Sequence, residues 1–250
     1  MTTSSPAPPK PRWRRWIVLG IVAVVVIVVA APFVYFQFIQ GDPPPKLSLS
    51  TVTTSTGANG STGVGSRAPL SGAWKVGSGS TAGYRVEEQL FGQHNTAAAR
   101  TEQVTGTITI DGTTVEAAAM SVDMASIASV GNKIDGAIAD RRDDQFRGRI
   151  MNTDQYPTAT FELTKPIDLA PVPKDGVQKP YSATGELTLH GTTKTVTIPI
   201  TAKRLGNVIA IQGITGITFS EYGIDNPSGG PASVGNTGQM EFLLQLKPVS

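Results

Sequence analysis

The feature that most constrains this chain is a long apolar stretch near its N-terminus. No charged residue occurs from Ile17 to Gln40, and the segment 16–36 is rich in Val and Ile. At about 1.5 Å per residue, a helix of this segment reaches roughly 30 Å, the thickness of a bilayer core. Because lipid offers no hydrogen-bond partners, the backbone there must satisfy itself, and we predict a transmembrane helix over residues 16–36. Aromatic residues of the kind found at membrane interfaces flank both ends: Trp13, Trp16, Phe33, Tyr35, Phe36 and Phe38.

The flanking charges predict the orientation of this helix. Residues 1–15 carry only basic charges, on Lys10, Arg12, Arg14 and Arg15. By the positive-inside rule they form a cytoplasmic tail, which leaves the C-terminal part outside the cell membrane as a single-pass protein of the cell envelope. The alternative is a cleaved signal peptide, with small residues at 29–31 as the cleavage site. Pro32 would directly follow that cut and disfavours it.

The next segment has the composition of a linker. Residues 37–70 contain Pro43, Pro44 and Pro45, followed by a run of Ser, Thr and Gly with few apolar residues. Such a segment buries too little apolar surface to fold alone. We therefore predict a flexible tether with a root-mean-square span of about 30 Å.

The remaining segment, residues 71–250, has the pattern of a β domain. Apolar and polar residues alternate with a period of two around residues 104–110, 186–189, 195–200 and 240–247. Asp111-Gly112 and His190-Gly191 lie between such patterns and are typical of hairpin turns. Only residues 133–150 show helical spacing, which predicts one or two short helices. The segment is thus predicted to be an all-β antiparallel barrel or sandwich.

The composition excludes several kinds of site. The chain has no Cys and a formal net charge of only +2, which gives no support for disulfides, thiolate sites or a nucleic-acid partner. Neither His94 nor His190 has ligand-spaced partners, and no Gly-x-Ser-x-Gly elbow occurs. We predict no catalytic residues, no metal site, no cofactor and no enzyme activity, although a Ser-His-Asp arrangement would be spatial and stays open.

Two ordered motifs resemble those of a known family. Residues 142–152 begin with Arg-Asp and lead into Asp154-Gln155-Tyr156-Pro157 and a strand that bears Phe161. Residues 185–196 give a strand, a His-Gly turn and a returning strand. Both resemble the YceI family over about residues 71–249. The resemblance implies a lipocalin-like extended antiparallel β-barrel whose apolar cavity holds a polyisoprenoid or an isoprenoid quinone. It also implies an exported protein, and the uncleaved anchor is a departure from the usual secreted form.

Some residues are candidates for the ligand site that this resemblance implies. The apolar candidates for lining a lipid cavity are Leu90, Phe91, Phe146, Ile150 and Met151. The competing interpretation is ordinary core packing. Arg142 is the candidate for a head-group contact, within a cluster that also contains Arg141, Arg147 and Arg149. Because acidic residues are interleaved, a solvated charged surface is the alternative.

The leading hypothesis is a membrane-anchored extracytoplasmic lipid-binding protein. A structural or adhesion module displayed on a stalk is the alternative, and it predicts a filled core and a protein partner. A hydrolase on an exported barrel is the third hypothesis. The sequence leaves open whether two copies form a homodimer.

Overall fold

The computed structural model describes residues 20–27, 30, 44–52, 67–90, 92–131, 136–229 and 232–249. The chain divides into two units, residues 1–42 and 43–250. Residues 20–27 and 30 are helical. Among the described residues, no helix has the length and apolar character needed to cross a bilayer. The tail 1–15 and most of the span 16–36 lie outside the described residues, so both stay predictions.

The strands of the second unit form one antiparallel sheet. In chain order they are β1 (Gly72–Val76), β2 (Thr81–Leu90), β3 (Gln93–Thr101), β4 (Val104–Asp111), β5 (Thr114–Asp123), β6 (Ala128–Val130), β7 (Thr158–Leu163), β8 (Ile167–Asp168), β9 (Lys179–Leu189), β10 (Thr192–Leu205), β11 (Val208–Thr218), β12 (Ala232–Val234) and β13 (Thr237–Pro248). The helix α1 (Gly136–Gln145) runs directly into a π-helical turn (Phe146–Ile150), and 3₁₀ turns occur at Leu49–Thr51 and Phe219–Tyr222.

The sheet closes into a barrel. Its ring runs β1-β4-β5-β7-β9-β10-β11-β13 and is closed by pairing of β13 with β1. The C-terminal part of β13 pairs with β1, and its N-terminal part pairs with β2. From β2 the wall continues through β3 and β6. Closure pairs each of the eight ring strands on both sides, while the branch through β3 ends at the short strand β6. The prediction of an all-β antiparallel barrel with short helices is therefore confirmed.

The predicted hairpin turns join neighbouring strands. Leu189 pairs with Thr192 across His190 and Gly191, whose φ angles are 50° and 73°. A tight two-residue hairpin has positive φ at both central residues, because this turn matches the twist of the flanking strands. The His190 ring packs edge-on against Tyr156, with ring centroids 4.6 Å apart. This histidine therefore holds a turn in place within the described structure.

Part of the predicted linker packs on the barrel. Residues 44–52, called the strap from here on, lie against the outer face of the wall. Leu49 is 1% exposed, and it forms a small apolar cluster with Val52, Ala210 and Leu243. The average composition of residues 37–70 hides these apolar residues, so no sequence pattern predicted the contact.

Polar side chains from five neighbouring strands hold the strap. Arg100 on β3 and Arg85 on β2 donate to the Pro45 and Pro44 carbonyls, at 2.5 and 2.6 Å. Further along are Glu241 on β13, Gln212 on β11 and Lys203 on β10, which bond the backbone at Leu47, Leu49 and Val52. Glu241 is buried and also pairs with Arg100 at 2.7 Å. The strap is therefore an integral part of the domain.

Candidate functional site

The two ends of the barrel differ in structure. At one end, called the helix end, lie α1, the His190 turn and the β2–β3 hairpin. At the other, called the hairpin end, lie the turns at Gly112 and Gly206 and the β8–β9 loop, residues 169–178. The strands run between these ends, so their inward side chains line the whole length of the interior.

The interior contains a cavity of about 650 Å³. This lies within the range of roughly 300–1,000 Å³ that is typical of small-molecule sites. Apolar side chains from nearly every strand form its wall, among them Ile108, Ala118, Ile198, Ile211 and Leu244. The wall offers water few hydrogen-bond partners, because most of its side chains are apolar. An apolar ligand therefore matches its chemistry.

Small residues in the wall leave room for the cavity. Gly213 faces Phe242 across the β11–β13 pair, and Gly185 lies beside Phe161 on β7. A Cβ at either glycine would collide with the neighbouring ring. Both rings also line the cavity. The glycines therefore let the rings lie back against the wall and keep the interior from filling.

Aromatic and sulfur-containing side chains form the cavity wall at the helix end. Met151 N–H donates to the Phe146 carbonyl at 2.8 Å, which is the wide bond of the π-helical turn. Phe146 is buried and stacks on Tyr84, with ring centroids 5.0 Å apart. Burial raises the pKa of Tyr84, and the nearby Arg142 charge opposes that rise. Tyr84 thus stays protonated and presents a neutral, largely apolar surface.

An ion pair lies in the wall at the helix end. Arg142 donates from Nη2 to Glu88 Oε1 at 2.8 Å, and Asn95 Nδ2 donates to the same oxygen at 2.5 Å. The Arg142 side chain is only 16% exposed, and its Nη1 is buried without a hydrogen-bond partner in the described structure. A free buried donor is costly unless something accepts from it. The geometry therefore leaves one hydrogen-bonding position open to a ligand.

The neighbouring residue fixes the position of this arginine. Asp143 accepts from the Ser129 backbone N–H at 2.9 Å and from its hydroxyl at 2.7 Å. These bonds hold α1 against β6 and thereby fix the position of the backbone that carries Arg142. Arg141 and Gln145, both exposed, complete a polar rim at this end of the cavity.

The structure brings most of the predicted site residues together. Leu90, Phe146, Ile150, Met151 and Arg142 all line the cavity. Phe91 lies outside the described residues. Whether these side chains contact a lipid stays a prediction.

The other arginines of the cluster have different contacts. Arg147 pairs with Asp144 at 2.7 Å on the surface, and Arg149 donates to backbone carbonyls of residues 226–228. Of the four, only Arg141 and Arg142 line the cavity.

Sequence reasoning missed Tyr84 and Glu88. They lie four residues apart on β2, so the period of two places both on the inward face. An acidic residue at an inward position of a strand was the available signal. It was hidden because the strand pattern of β2 is irregular and predicted no inward face.

The cavity lining has a different character at the hairpin end. There it includes Leu70, Val172 and Pro173. Val172 is 43% exposed, so the lining reaches the surface at this end too. Arg204 also lines this end, but its guanidinium donates to the Gly206 and Ala68 carbonyls and lies over the Trp74 ring. The exposed side chain of the lining is therefore apolar here, whereas at the helix end Arg141 and Gln145 are exposed.

Comparison with known families decides the relationship. A family model described as the YceI-like domain matches residues 74–246. This chain belongs to the YceI-like family. A search of curated proteins finds no match. Among the described residues of this YceI-like protein, no group of three or more acidic, His or Cys side chains is arranged to hold a metal ion.

Solved structures share the fold. A polyisoprenoid-binding domain from Saccharophagus degradans, implicated in plant cell wall breakdown, is 19% identical with a TM-score of 0.54, covering 70% of this chain and 98% of its own. BcnA from Burkholderia cenocepacia is 23% identical with a TM-score of 0.48, covering 66% and 95%. The Campylobacter jejuni YCEI protein is 13% identical with a TM-score of 0.47, covering 61% and 85%. At these identities the likeness concerns the fold.

Proposed function

We propose that this protein binds a long-chain amphiphile, a polyisoprenoid or an isoprenoid quinone, in its barrel cavity. The observation that carries the proposal is a mostly apolar cavity of about 650 Å³ with the Arg142–Glu88 pair at its helix end. Membership of the YceI-like family and the polyisoprenoid-binding description of the Saccharophagus domain support it.

The energetics favour such a ligand. Each buried methylene contributes about 0.8 kcal/mol, so a long hydrocarbon tail binds without directional contacts. The polar end of the ligand would meet Arg142 Nη1, while Glu88 balances the arginine charge. The tail would extend toward Val172 at the hairpin end. Because burial drives binding, the function needs no reacting group, and we propose a carrier rather than an enzyme.

A matched pair of substitutions tests this proposal. Ala118 lines the cavity, and its neighbour Ala119 is exposed on the other face of β5. Ala118→Phe should fill the cavity and remove the lipid that copurifies with the full chain, measured by extraction and mass spectrometry. Ala119→Phe should retain it. Equal lipid content in both folded variants would refute the cavity as the binding site.

The displayed-module alternative fits the structure less well. It predicts a filled core, whereas the barrel interior contains the cavity. We therefore do not propose an adhesion role.

We also propose that residues 16–36 anchor the protein in the cell membrane with the barrel outside. The uncharged stretch and its basic flank support this orientation. Since the chain has no Cys, single-cysteine variants report topology directly. An impermeant maleimide added to intact cells should label Ser233→Cys and leave Ser5→Cys unlabelled. The reverse result, or labelling of both, would contradict the orientation.

A further inference from the structure

The exposed large apolar side chains of the barrel lie at one end. Apart from the N-terminal helix, those described as highly exposed are Val172 at 43%, Val177 at 49% and Val249 at 49%. Val172 and Val177 belong to the β8–β9 loop. Val249 donates to the Ala73 carbonyl at 2.9 Å, beside the start of β1. Single exposed apolar residues are ordinary, but a grouping at one end indicates an apolar partner.

The β8–β9 loop is held in position by hydrogen bonds. Lys179 Nζ donates to the carbonyls of residues 169–171 at 3.0–3.2 Å. Gly176 N–H donates to the Arg204 carbonyl at 2.7 Å, and Asp175 accepts from Gly206 N–H at 3.1 Å. These bonds fix the backbone that carries Val172 and Val177. The valines are thus presented to the outside by an ordered loop.

At the same end the cavity lining reaches the surface through an apolar side chain. Val172 is exposed and also lines the cavity, together with Leu70 and Pro173. At the helix end, the exposed lining residues are instead Arg141 and Gln145. Arg204 lines the hairpin end too, but carbonyls of Gly206 and Ala68 accept from its guanidinium, which lies over the Trp74 ring. An apolar ligand that crosses the hairpin end therefore meets the exposed apolar side chain of Val172, whereas at the helix end it meets exposed polar and charged side chains.

The charges at the hairpin end are mixed. Arg67 pairs with Asp175 at 3.0 Å, and Lys174, Asp168 and Asp111 are exposed on the loops and strand ends of this end. Apolar contact rather than net charge therefore selects the partner. A lipid bilayer fits best, because it accepts separate apolar side chains at its interface and is the solvent of an isoprenoid ligand.

We propose that the hairpin end is a membrane-docking surface, at which Val172, Val177 and Val249 enter the bilayer interface and the ligand passes between bilayer and cavity. The inference rests on the proposed function, since it assumes an isoprenoid ligand. The ligand enters head first and slides along the barrel until its polar end reaches Arg142. Its tail then occupies the part of the cavity nearest the bilayer.

The absence of Cys in the sequence allows a direct test of docking. Full-length Val172→Cys and Val177→Cys variants, each carrying an environment-sensitive NBD label, are reconstituted into liposomes of phosphatidylcholine and phosphatidylglycerol. Ser233→Cys, exposed on β12 at the helix end, is the control. Labels at 172 and 177 should shift to the blue and be quenched by lipids with a shallow doxyl group, while the label at 233 should show neither effect. Water-like emission from all three labels would overturn the proposal.

A second measurement tests the route of the ligand. Val177 and Val249 are absent from the cavity lining, so Val177→Asp/Val249→Asp should leave equilibrium binding of detergent-delivered menaquinone unchanged. We expect the two aspartates to weaken the affinity of the protein for the liposome surface by about tenfold. Uptake of menaquinone from liposomes should then slow by about the same factor. Ser233→Asp should leave uptake unchanged.

The two failures are distinguishable. If the wild-type protein does not bind menaquinone at equilibrium, the proposed function fails. If it binds menaquinone but the double variant takes it up from liposomes at the wild-type rate, the docking inference fails.

Discussion

Replacing Glu88 by Gln tests the ion pair in the cavity wall. The substitution keeps the size of the side chain and removes its charge. Glu88 is buried and accepts from both Arg142 and Asn95. A glutamine can still accept one bond, but Arg142 then loses its counter-charge.

The magnitude follows from the burial of the pair. Breaking a fully buried pair costs about 3–5 kcal/mol, and a hydrogen bond to a charged group contributes about 1.5–3 kcal/mol. The Arg142 side chain is 16% exposed at the cavity rim, so water compensates part of the loss. We expect Glu88→Gln to lower the free energy of unfolding by about 2–3 kcal/mol.

Urea unfolding of the full chain in mild detergent measures this loss. Trp74 is buried and becomes the sole reporter when Trp13 and Trp16 are replaced by Phe. The midpoint should fall while the slope stays constant. Glu87→Gln is the matched control, because Glu87 is exposed and bonds only Thr96 among the described contacts. Its effect should stay within about 0.5 kcal/mol.

The same variant changes ligand preference. With Glu88 neutral, the Arg142 charge is unbalanced, and affinity for a polyprenyl phosphate relative to a quinone should rise by about tenfold. If Glu88→Gln and Glu87→Gln are equally stable and show the same ligand preference, the pair plays neither of the roles assigned to it.

Three further predictions follow from the described contacts. Leu49→Ala should lower the free energy of unfolding by about 2–3 kcal/mol, and exposed Ser50→Ala should not; equal urea midpoints would mean that the strap adds no stability. Because burial raises the pKa of Tyr84, the unfolded chain ionises first as pH rises above about 10. Wild-type protein should then lose stability relative to Tyr84→Phe above that pH and not below it, and parallel pH profiles would argue against the buried phenol. Gly213→Ala should push the Phe242 ring inward, costing about 1–3 kcal/mol and reducing bound lipid, and unchanged lipid content would contradict the packing assigned to that ring.

The β architecture could be predicted because its signals are local. The period of two and the X-Gly turns are readable in short windows, and β4, β9, β10 and β13 occur where these patterns predict them. Closure depends on pairing of β1 with β13, whose residues are far apart in the chain. Local patterns therefore left barrel and sandwich open, and only the family resemblance favoured the barrel.

The cavity could be predicted only in part. Inward residues of a hollow barrel and of a filled one are equally apolar, since both face away from water. The resemblance suggested Phe146 and Met151, whereas the Tyr84–Glu88 face of β2 and the place of Val172 in the cavity lining depend on three-dimensional placement. Tyr84 and Val172 have no sequence pattern that distinguishes them from ordinary core, and the charge of Glu88 was a signal only once the inward face of the irregular β2 was known.

The strap shows a different reason for a missed contact. Its few apolar side chains are diluted by Pro, Ser and Thr, so averaged composition predicts a free tether. In the fold, Leu49 and Val52 pack on an apolar patch formed by Ala210 and Leu243. Lys203 donates to the carbonyls of both strap residues. A short segment can dock when the partner surface supplies most of the polar contacts.

Native mass spectrometry of the full chain, purified from its own host without added lipid, shows whether the barrel carries an isoprenoid. We expect a bound mass that fragments as an isoprenoid and that is absent from Ala118→Phe but present in Ala119→Phe. If the wild-type protein is unliganded, and is still unliganded after incubation with menaquinone and polyprenyl phosphates, the barrel is not an isoprenoid carrier.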